Sequence, residues 1–190
     1  GRPSEAFGKM YLPFDSHRCV ARLPGPPYHF MSRVTKIDGD LGICKSGTEI
    51  ELEYDITGKE WYFDSNGFPT MPFAVLLEAA LQPCGWLASG VGSALTVDED
   101  LSFRNLDGDG VLHTELLPDS GTLLTRVKIT SVSKSAGMII EGFDVECYAK
   151  GELIYSLKTV FGFFPLAALK NQVGLPTTSE QREQLASPSG

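Results

Sequence analysis

Two polar side chains stand four residues apart in the most apolar stretch of the sequence, and they are the residues best placed to do chemistry. Glu78 and Gln82 interrupt a run over 73–88 that is otherwise apolar or small. Residues four apart share one face of a helix, and Trp86 lies one turn further along the same face. A carboxyl group buried there is driven towards its protonated form, as a general acid requires, and Gln82 could hold it in one orientation. The alternative is structural: the pair could satisfy backbone groups near Pro83 or face solvent at a dimer interface.

A single long helix is predicted to carry this pair. It covers 73–88, with Pro72 at its start, where the missing N–H group costs nothing. Pro83 in the interior is predicted to kink the helix or to end its regular part. Because Glu78, Gln82 and Pro83 interrupt the apolar run, no stretch is predicted to reach the roughly 18 residues of a membrane span.

Strands are predicted on both sides of this helix. Alternating apolar residues and β-branched content indicate two strands before it and five after it, separated by turns such as Asp107-Gly-Asp-Gly110. The predicted strands cover 31–38, 48–55, 101–106, 111–117, 123–132, 138–149 and 153–163. A helix that is apolar nearly all round, among about seven strands, implies an antiparallel sheet wrapped around a central buried helix.

The composition is that of one acidic domain. With 190 residues and 42% hydrophobic content, the chain can form one core and is too short for two full domains. A net charge of −8 argues against a nucleic-acid-binding protein, which needs clustered Lys and Arg. The four cysteines are widely spaced, with no C-x-x-C motif and no two His at zinc-finger spacing, which predicts free thiols in a reducing cytoplasm and no metal site.

The chain is predicted to have three parts. Residues 1–27 are rich in Pro and Gly and should form an irregular lead-in, 28–172 should form the folded domain, and 173–190 should be a flexible tail or linker. The sequence begins Gly-Arg-Pro-Ser without an initiating Met, which suggests a piece of a longer protein.

Several dispersed motifs resemble one enzyme family. They occur in the order and near the spacing of bacterial 3-hydroxydecanoyl-ACP dehydratase, and they resemble still more the dehydratase domains of polyunsaturated fatty acid synthases and related iterative polyketide synthases. They are Leu23-Pro-Gly-Pro-Pro27, Met31-Ser-Arg-Val-Thr35, Glu60-Trp-Tyr-Phe63, Met71-Pro72 and the helix Glu78-x-x-x-Gln82. The resemblance implies an α+β hot-dog fold, in which an antiparallel sheet of six or seven strands wraps around one long central helix.

The resemblance also implies a chemistry, the dehydration of 3-hydroxyacyl-ACP to 2-enoyl-ACP. In the family a His removes the α-proton while a carboxylic acid in the central helix protonates the departing hydroxyl group. Glu78 matches this acid, which is Asp in the simplest members, and Gln82 matches the family's supporting Gln. The backbone N–H group of Phe73, at the helix start, would polarise the thioester carbonyl.

The partners follow from the same resemblance. The domain is expected to bind no cofactor of its own, because the substrate is carried on the phosphopantetheine of an acyl carrier protein. A second hot-dog domain or a homodimer partner is expected beside it, in the cytoplasm, with no nucleic acid and no membrane.

The sequence departs from the family at the catalytic base. The loop that contains the family's His is replaced by 64–73, in which Asn66 takes the position of the His and Phe73 that of a Gly. Asn66 cannot act as a base near neutral pH. Together with Trp86 and the Phe73 N–H group, it is therefore a candidate for substrate binding only.

Three His residues are present elsewhere in the chain. His29, just before the first predicted strand, is the candidate substitute base, although a solitary His is weak evidence for one. His17 and His113 are predicted at the surface.

Three hypotheses remain open from the sequence. The chain could be half of a dehydratase site, in which Glu78 meets a His supplied by a partner hot dog. It could be a non-catalytic hot dog that completes the fold and the acyl tunnel. It could also be an acyl thioesterase in which Glu78 activates water.

Overall fold

One long apolar helix packs against a six-stranded antiparallel sheet. The computed structural model describes residues 2–16, 20, 22–170, 174 and 177–186, so His17 and Cys19 lie outside the described residues. The helices are α1 (Pro3–Phe7), α2 (Leu12–Asp15), α3 (Trp61–Ser65), α4 (Phe73–Gly90), α5 (Leu166–Lys170) and α6 (Ser179–Ala186). The strands are β1 (Arg33–Asp38), β2 (Glu49–Asp55), β3 (Leu101–Leu112), β4 (Thr122–Ser135), β5 (Met138–Ala149) and β6 (Glu152–Pro165).

The strands pair in the order β1-β2-β4-β5-β6-β3, and every pair is antiparallel. Tight turns join the long strands β4, β5 and β6. Ala136-Gly137 and Lys150-Gly151 both have positive φ at each residue, the backbone conformation that lets a two-residue hairpin follow the twist of its strands. Both turns lie in the gaps between the strands predicted over 123–132, 138–149 and 153–163.

The core lies between α4 and the inner face of the sheet. The helix packs on β2, β4 and β5, where Ala80, Cys84, Leu87 and Ala88 are fully buried. Inward positions alternate along the strands with exposed polar ones, as period-two patterning requires. The predicted architecture, an antiparallel sheet around one central helix, is confirmed with six strands.

Two expectations about α4 need correction. Of the two effects predicted for Pro83, the end of the regular helix is wrong, because the helix continues to Gly90 with Pro83 itself buried. The kink stays a prediction. The stretch Phe73–Leu95 is also long and apolar enough to cross a membrane by length and composition alone. However, 61% of its most apolar window is buried inside the protein, as is usual for a helix that forms the core of a globular domain.

The predicted hairpin turn at Asp107–Gly110 is also wrong, because these residues continue strand β3. The strand pairs with β6 along its whole length, with a bulge between Asn105 and Asp107. A side chain on Gly110 would meet the buried Tyr155 ring and hydroxyl group, so the glycine makes room for Tyr155 in the pairing. The separate strand predicted over 111–117 is accordingly absent beyond Leu112, where β3 ends.

The two ends of the chain contain short helices. Within the lead-in predicted to be irregular, α1, α2 and a 3-10 turn at Lys9–Tyr11 fold back on the rest of the protein and bury Tyr11 and Phe14. Within the predicted tail, α6 has no buried residue.

Candidate active site

Gln82 is the centre of a hydrogen-bond network between α4 and the segment before β1. Its side chain is buried, with 2% exposed, so its partners come from inside the protein. Its Oε1 accepts the backbone N–H of Phe30 at 2.8 Å, and its Nε2 donates to the backbone O of Tyr28 at 3.0 Å. Because one partner is only a donor and the other only an acceptor, these bonds fix which way the amide points.

The same amide holds Glu78. Gln82 Nε2 donates to Glu78 Oε1 at 3.1 Å, one helical turn away, as the spacing of the two residues predicts. Glu78 is partly buried. This bond holds Oε1 and leaves Oε2 unbound by Gln82. The arrangement therefore fixes the orientation of the carboxyl group.

The start of α4 lies less than two helical turns before this carboxyl group. Phe73 is the first residue of α4 and Pro72 is its N-cap, so the N–H of Phe73 has no acceptor within the helix. The Phe73 side chain is 52% exposed, and its ring packs edge-on against Tyr155 at 5.8 Å between centroids. The ring is therefore held towards the sheet beside the helix start.

The other candidate residues do not join Glu78. Asn66 Nδ2 donates to the backbone O of Thr70 at 2.9 Å, which closes the loop before α4. His29 is exposed, although its neighbours Tyr28 and Phe30 bind Gln82. In the part of the chain that the structure describes, no His forms a hydrogen bond or ion pair with Glu78.

The structure also places His113 and Trp86, two residues singled out from the sequence. His113 is exposed as predicted, and its Nε2 lies 3.0 Å from Ser156 Oγ. Trp86 is two turns from Glu78, and its ring packs edge-on against Phe7 of α1 at 5.9 Å. Trp86 therefore lies beyond the carboxyl group, near the far end of α4.

A second buried carboxyl group is absent from the sequence prediction. Glu141 on β5 is 0% exposed, and its Oε2 is buried without a hydrogen-bond partner among the described residues. Its Oε1 contacts Ser93 Oγ and lies 3.6 Å from Cys44 Sγ. The signal was available: Ile139, Glu141 and Phe143 alternate on the inward face of the strand, so the pattern itself places this Glu in the core.

The protonation of Glu141 is governed by its burial and its neighbours. The Ser93 hydroxyl group has two acceptors within reach, Glu141 Oε1 and the backbone O of Ala88 at 2.8 Å. Cys44 Sγ also donates to Glu141 Oε1, at 3.6 Å. Burial raises the pKa of Glu141 to about 7, partly offset by Ser93, Cys44 and the charge of Lys134. Glu141 is thus a neutral, structural acid in the core, below about pH 7.

The remaining buried polar groups offer no nucleophile or metal site in the described part of the chain. Burial raises the pKa of Cys147 to about 12 and raises that of Cys84 as well. Cys44, Cys84 and Cys147 are free thiols. Among the described residues, no three His, Cys, Asp or Glu side chains are grouped so that they could hold a metal ion.

Replacing Gln82 with Leu should destabilise the fold by about 2–3 kcal/mol, because the buried N–H of Phe30 and the partly buried O of Tyr28 would lose their partner. Urea denaturation followed by circular dichroism measures this. Gln184→Leu, on the exposed α6, is the control and should change stability by less than about 0.5 kcal/mol. Equal stability of the two variants would mean that the network contributes nothing.

A family model agrees with this geometry. The model described as "FabA-like domain" matches residues 23–158, which include β1 and β2, the whole of α4 and most of the sheet. The chain belongs to the FabA-like domain family. The resemblance read from the dispersed motifs is thereby confirmed, and with it the hot-dog fold.

One curated relative extends the match beyond the family domain. It is one of the subunits of a polyunsaturated fatty acid synthase from Thraustochytrium sp., and it is 26% identical over 189 residues. The match covers 92% of this chain and 12% of that protein. The FabA-like chain therefore spans only about an eighth of the length of this relative.

Solved structures resemble the chain more distantly. A phenylacetic acid degradation-related protein from Ralstonia eutropha is 13% identical, with a TM-score of 0.48 over 68% of this chain and 83% of that one. A thioesterase from Haemophilus influenzae is 15% identical, with a TM-score of 0.40 over 62% of this chain and 73% of that one. At this level of similarity neither structure carries an argument about activity.

Proposed function

We propose that this FabA-like chain is a dehydratase hot dog of a polyunsaturated fatty acid or polyketide synthase, acting in the dehydration of 3-hydroxyacyl-ACP to 2-enoyl-ACP. Glu78 is the general acid, and the His base comes from a partner hot dog. The observation that carries the proposal is the hydrogen bond from the buried, backbone-anchored Gln82 to Glu78 Oε1. It holds one carboxyl oxygen and leaves the other to transfer a proton.

The reaction needs two proton transfers of opposite direction. The base removes the α-proton of the thioester, and the negative charge that develops on the thioester oxygen is stabilised by the N–H of Phe73 and the positive end of the helix dipole. Glu78 Oε2 gives its proton to the 3-hydroxyl group, which leaves as water. The α–β double bond forms as the C–O bond breaks, and Glu78 is left as a carboxylate to be reprotonated.

The surface around Glu78 supports a partner. In the first half of α4, Phe73 and Ala74 are exposed, and Leu77 is only partly buried. At one edge of the sheet, β3 exposes apolar residues, among them Leu106 at 47% and Val111 at 54%. A second hot dog, from the same or another polypeptide, would cover such a surface and bring its own loop to Glu78.

The remaining roles follow from the proposed reaction. The substrate would arrive on the phosphopantetheine of an acyl carrier protein, and the domain would need no cofactor of its own. Dehydration of a carrier-bound thioester within such a synthase would take place in the cytoplasm.

A second candidate function is a non-catalytic hot dog that completes the fold and the acyl tunnel. The observation that favours it is Asn66, which takes the place of the family's His and whose amide is bound to the backbone of its own loop at Thr70. An amide engaged in this way neither takes a proton nor replaces the base.

Reconstitution with a partner separates these functions. The chain is mixed with a hot-dog domain that has an intact His-containing loop, and a 3-hydroxyacyl-pantetheine thioester is added. We expect enoyl thioester, detected by its absorbance and by mass spectrometry, only when both proteins are present and the partner's His is intact. Absence of product from every mixture would favour the non-catalytic hot dog, and release of free acid would favour a thioesterase.

A further inference from the structure

The buried carboxyl group of Glu141 lies beneath a surface loop between β1 and β2, the Cys44 loop (residues 42–47). The carboxyl group contacts Ser93, which is fully buried, and Cys44, which is only partly buried. Of these two contacts, Cys44 is therefore the one that reaches the surface. The route from the carboxyl group to water leads through the Cys44 loop.

Glu141 has no strong partner for a negative charge in this position. Its Oε2 is buried without a hydrogen-bond partner among the described residues. The last carbonyl groups of α4, which form the negative end of the helix dipole, lie close by, since Ser93 Oγ is 2.8 Å from the backbone O of Ala88. Burial raises the pKa of the carboxyl group to about 7, so both of its forms occur near neutral pH. The groups that face it are Ser93 after α4, Cys44 in the loop, Lys134 on β4 and the uncharged cross-strand neighbours Val132 and Phe161.

The Cys44 loop is held by few bonds. At one end the N–H of Gly42 donates to the backbone O of Gly90 at 3.0 Å, and at the other the N–H of Gly47 donates to the backbone O of Ile129 at 2.8 Å. Between these ends, Cys44 contacts the core through its sulfur atom at 3.6 Å or more. The other residues between them are exposed. Opening of this loop therefore breaks few strong contacts.

A glycine at each end lets the loop move separately from the strands. Gly42 and Gly47 have positive φ, 78° and 103°, a backbone conformation that glycine adopts without strain. Hinges are usually a few loop residues that absorb a change in φ and ψ. Rotation at these two positions would carry Cys44 away from Glu141 and leave the sheet and α4 in place.

We propose that the Cys44 loop is a proton-controlled latch, closed while the Glu141 carboxyl group is neutral and open to water when that group is charged. Opening exchanges a buried charge for a hydrated one. It also exposes the Cys44 thiol and frees the Gly90 carbonyl from Gly42. The latch does not rest on the proposed dehydration, because its groups lie at the end of α4 opposite to Phe73.

The thiols of the described residues separate opening of the latch from unfolding of the whole domain. Cys44 lies in the loop, whereas Cys84 on α4 and Cys147 on β5 are fully buried. In a Cys19→Ser background, the protein is treated with iodoacetamide between pH 5.5 and pH 8, and the label on each Cys is quantified by mass spectrometry. Glu141→Gln is the matched control, because its side chain has the same size and no charge at any of these pH values.

The labelling rate of Cys44 in the parent, divided by its rate in Glu141→Gln, should rise about twentyfold between pH 5.5 and pH 8. The ratio cancels the change in thiolate fraction, and the factor follows from a carboxyl pKa of about 7 in the closed loop and 4.5 in water. Cys84 and Cys147 should label far more slowly throughout. A ratio that does not rise, or a rise shared by all three thiols, would overturn the latch, because a shared rise means unfolding of the whole domain.

Amide hydrogen exchange of the parent protein is an independent measurement that needs no variant. After correction for base catalysis, the protection of the Gly42 N–H should fall by a similar factor over this pH range, because its bond to Gly90 breaks when the loop opens. The amides of β4 should stay protected. Unchanged protection of Gly42 would overturn the proposal.

Discussion

The Glu78→Gln variant should lose dehydration activity by about a hundredfold to ten-thousandfold in the reconstituted mixture, the range for removal of a general acid. The change removes the transferable proton and little else. Gln82 Nε2 can still donate to a side-chain oxygen at position 78, as it does to Glu78 Oε1 at 3.1 Å. The shape and the anchoring of the site are therefore kept.

The measurement separates chemistry from binding. Initial rates of enoyl thioester formation should fall, while the affinity for the product stays near that of the parent, since the variant lacks a transition-state interaction and not a binding contact. Glu152→Gln, at the exposed start of β6, is the control and should leave the rate unchanged. Activity retained in Glu78→Gln would assign the acid to another residue.

A second variant, Glu78→Asp, tests whether the orientation of the carboxyl group affects the rate. Glu78→Asp keeps a carboxyl group, and the simplest family members have Asp at this position. The shorter side chain withdraws the acid from Gln82, which the backbone at Tyr28 and Phe30 holds in place. We expect an intermediate rate, because the proton is present but its oxygen is no longer oriented by the Gln82 amide.

The pairing of Glu78 with Gln82 could be predicted from the sequence because its geometry is local. Residues four apart on a helix must meet, so the bond between the two side chains follows once the helix is accepted. The anchors of Gln82 could not be predicted in this way. Tyr28 and Phe30 are more than fifty residues away and contribute only backbone atoms, which leave no pattern of side chains to read.

The residues 107–110 of β3 were predicted as a turn from their composition, but their packing against β6 keeps them in the strand. Asp107-Gly-Asp-Gly110 has the composition of a turn, yet these residues pair with β6 throughout. Gly110 is required by a neighbour and not by a reversal of the chain: Tyr155 occupies the space where its side chain would lie. Only knowledge of the strand pairing distinguishes these two uses of glycine.

Glu141 should make the fold lose stability as the pH rises from about 5 to about 8. Between about pH 5 and pH 8 the free energy of unfolding should fall by about 3 kcal/mol, and in Glu141→Gln this loss should disappear. The cause is burial: β5 places Glu141 in the core, and the pKa of its carboxyl group rises from 4.5 to about 7.

Stability falls with rising pH because the folded and unfolded chains release the Glu141 proton at different pH values. Between pH 4.5 and about pH 7 the unfolded chain releases the Glu141 proton while the folded protein retains it. Stability from this group is therefore fully present below pH 4.5 and is lost as the pH rises through about 7. Above that pH the core holds a carboxylate whose Oε2 has no partner among the described residues.

Urea denaturation of the parent and of Glu141→Gln across this pH range measures the effect. The Gln side chain keeps an oxygen that can accept the Ser93 hydroxyl group and carries no charge, so the variant should match the parent at low pH and exceed it at high pH. Glu115→Gln, an exposed residue, controls for the change in net charge. Since Cys44, Ser93 and Lys134 are the groups that oppose the shift, a parent whose stability did not fall with pH would show that these groups keep Glu141 ionised in the core.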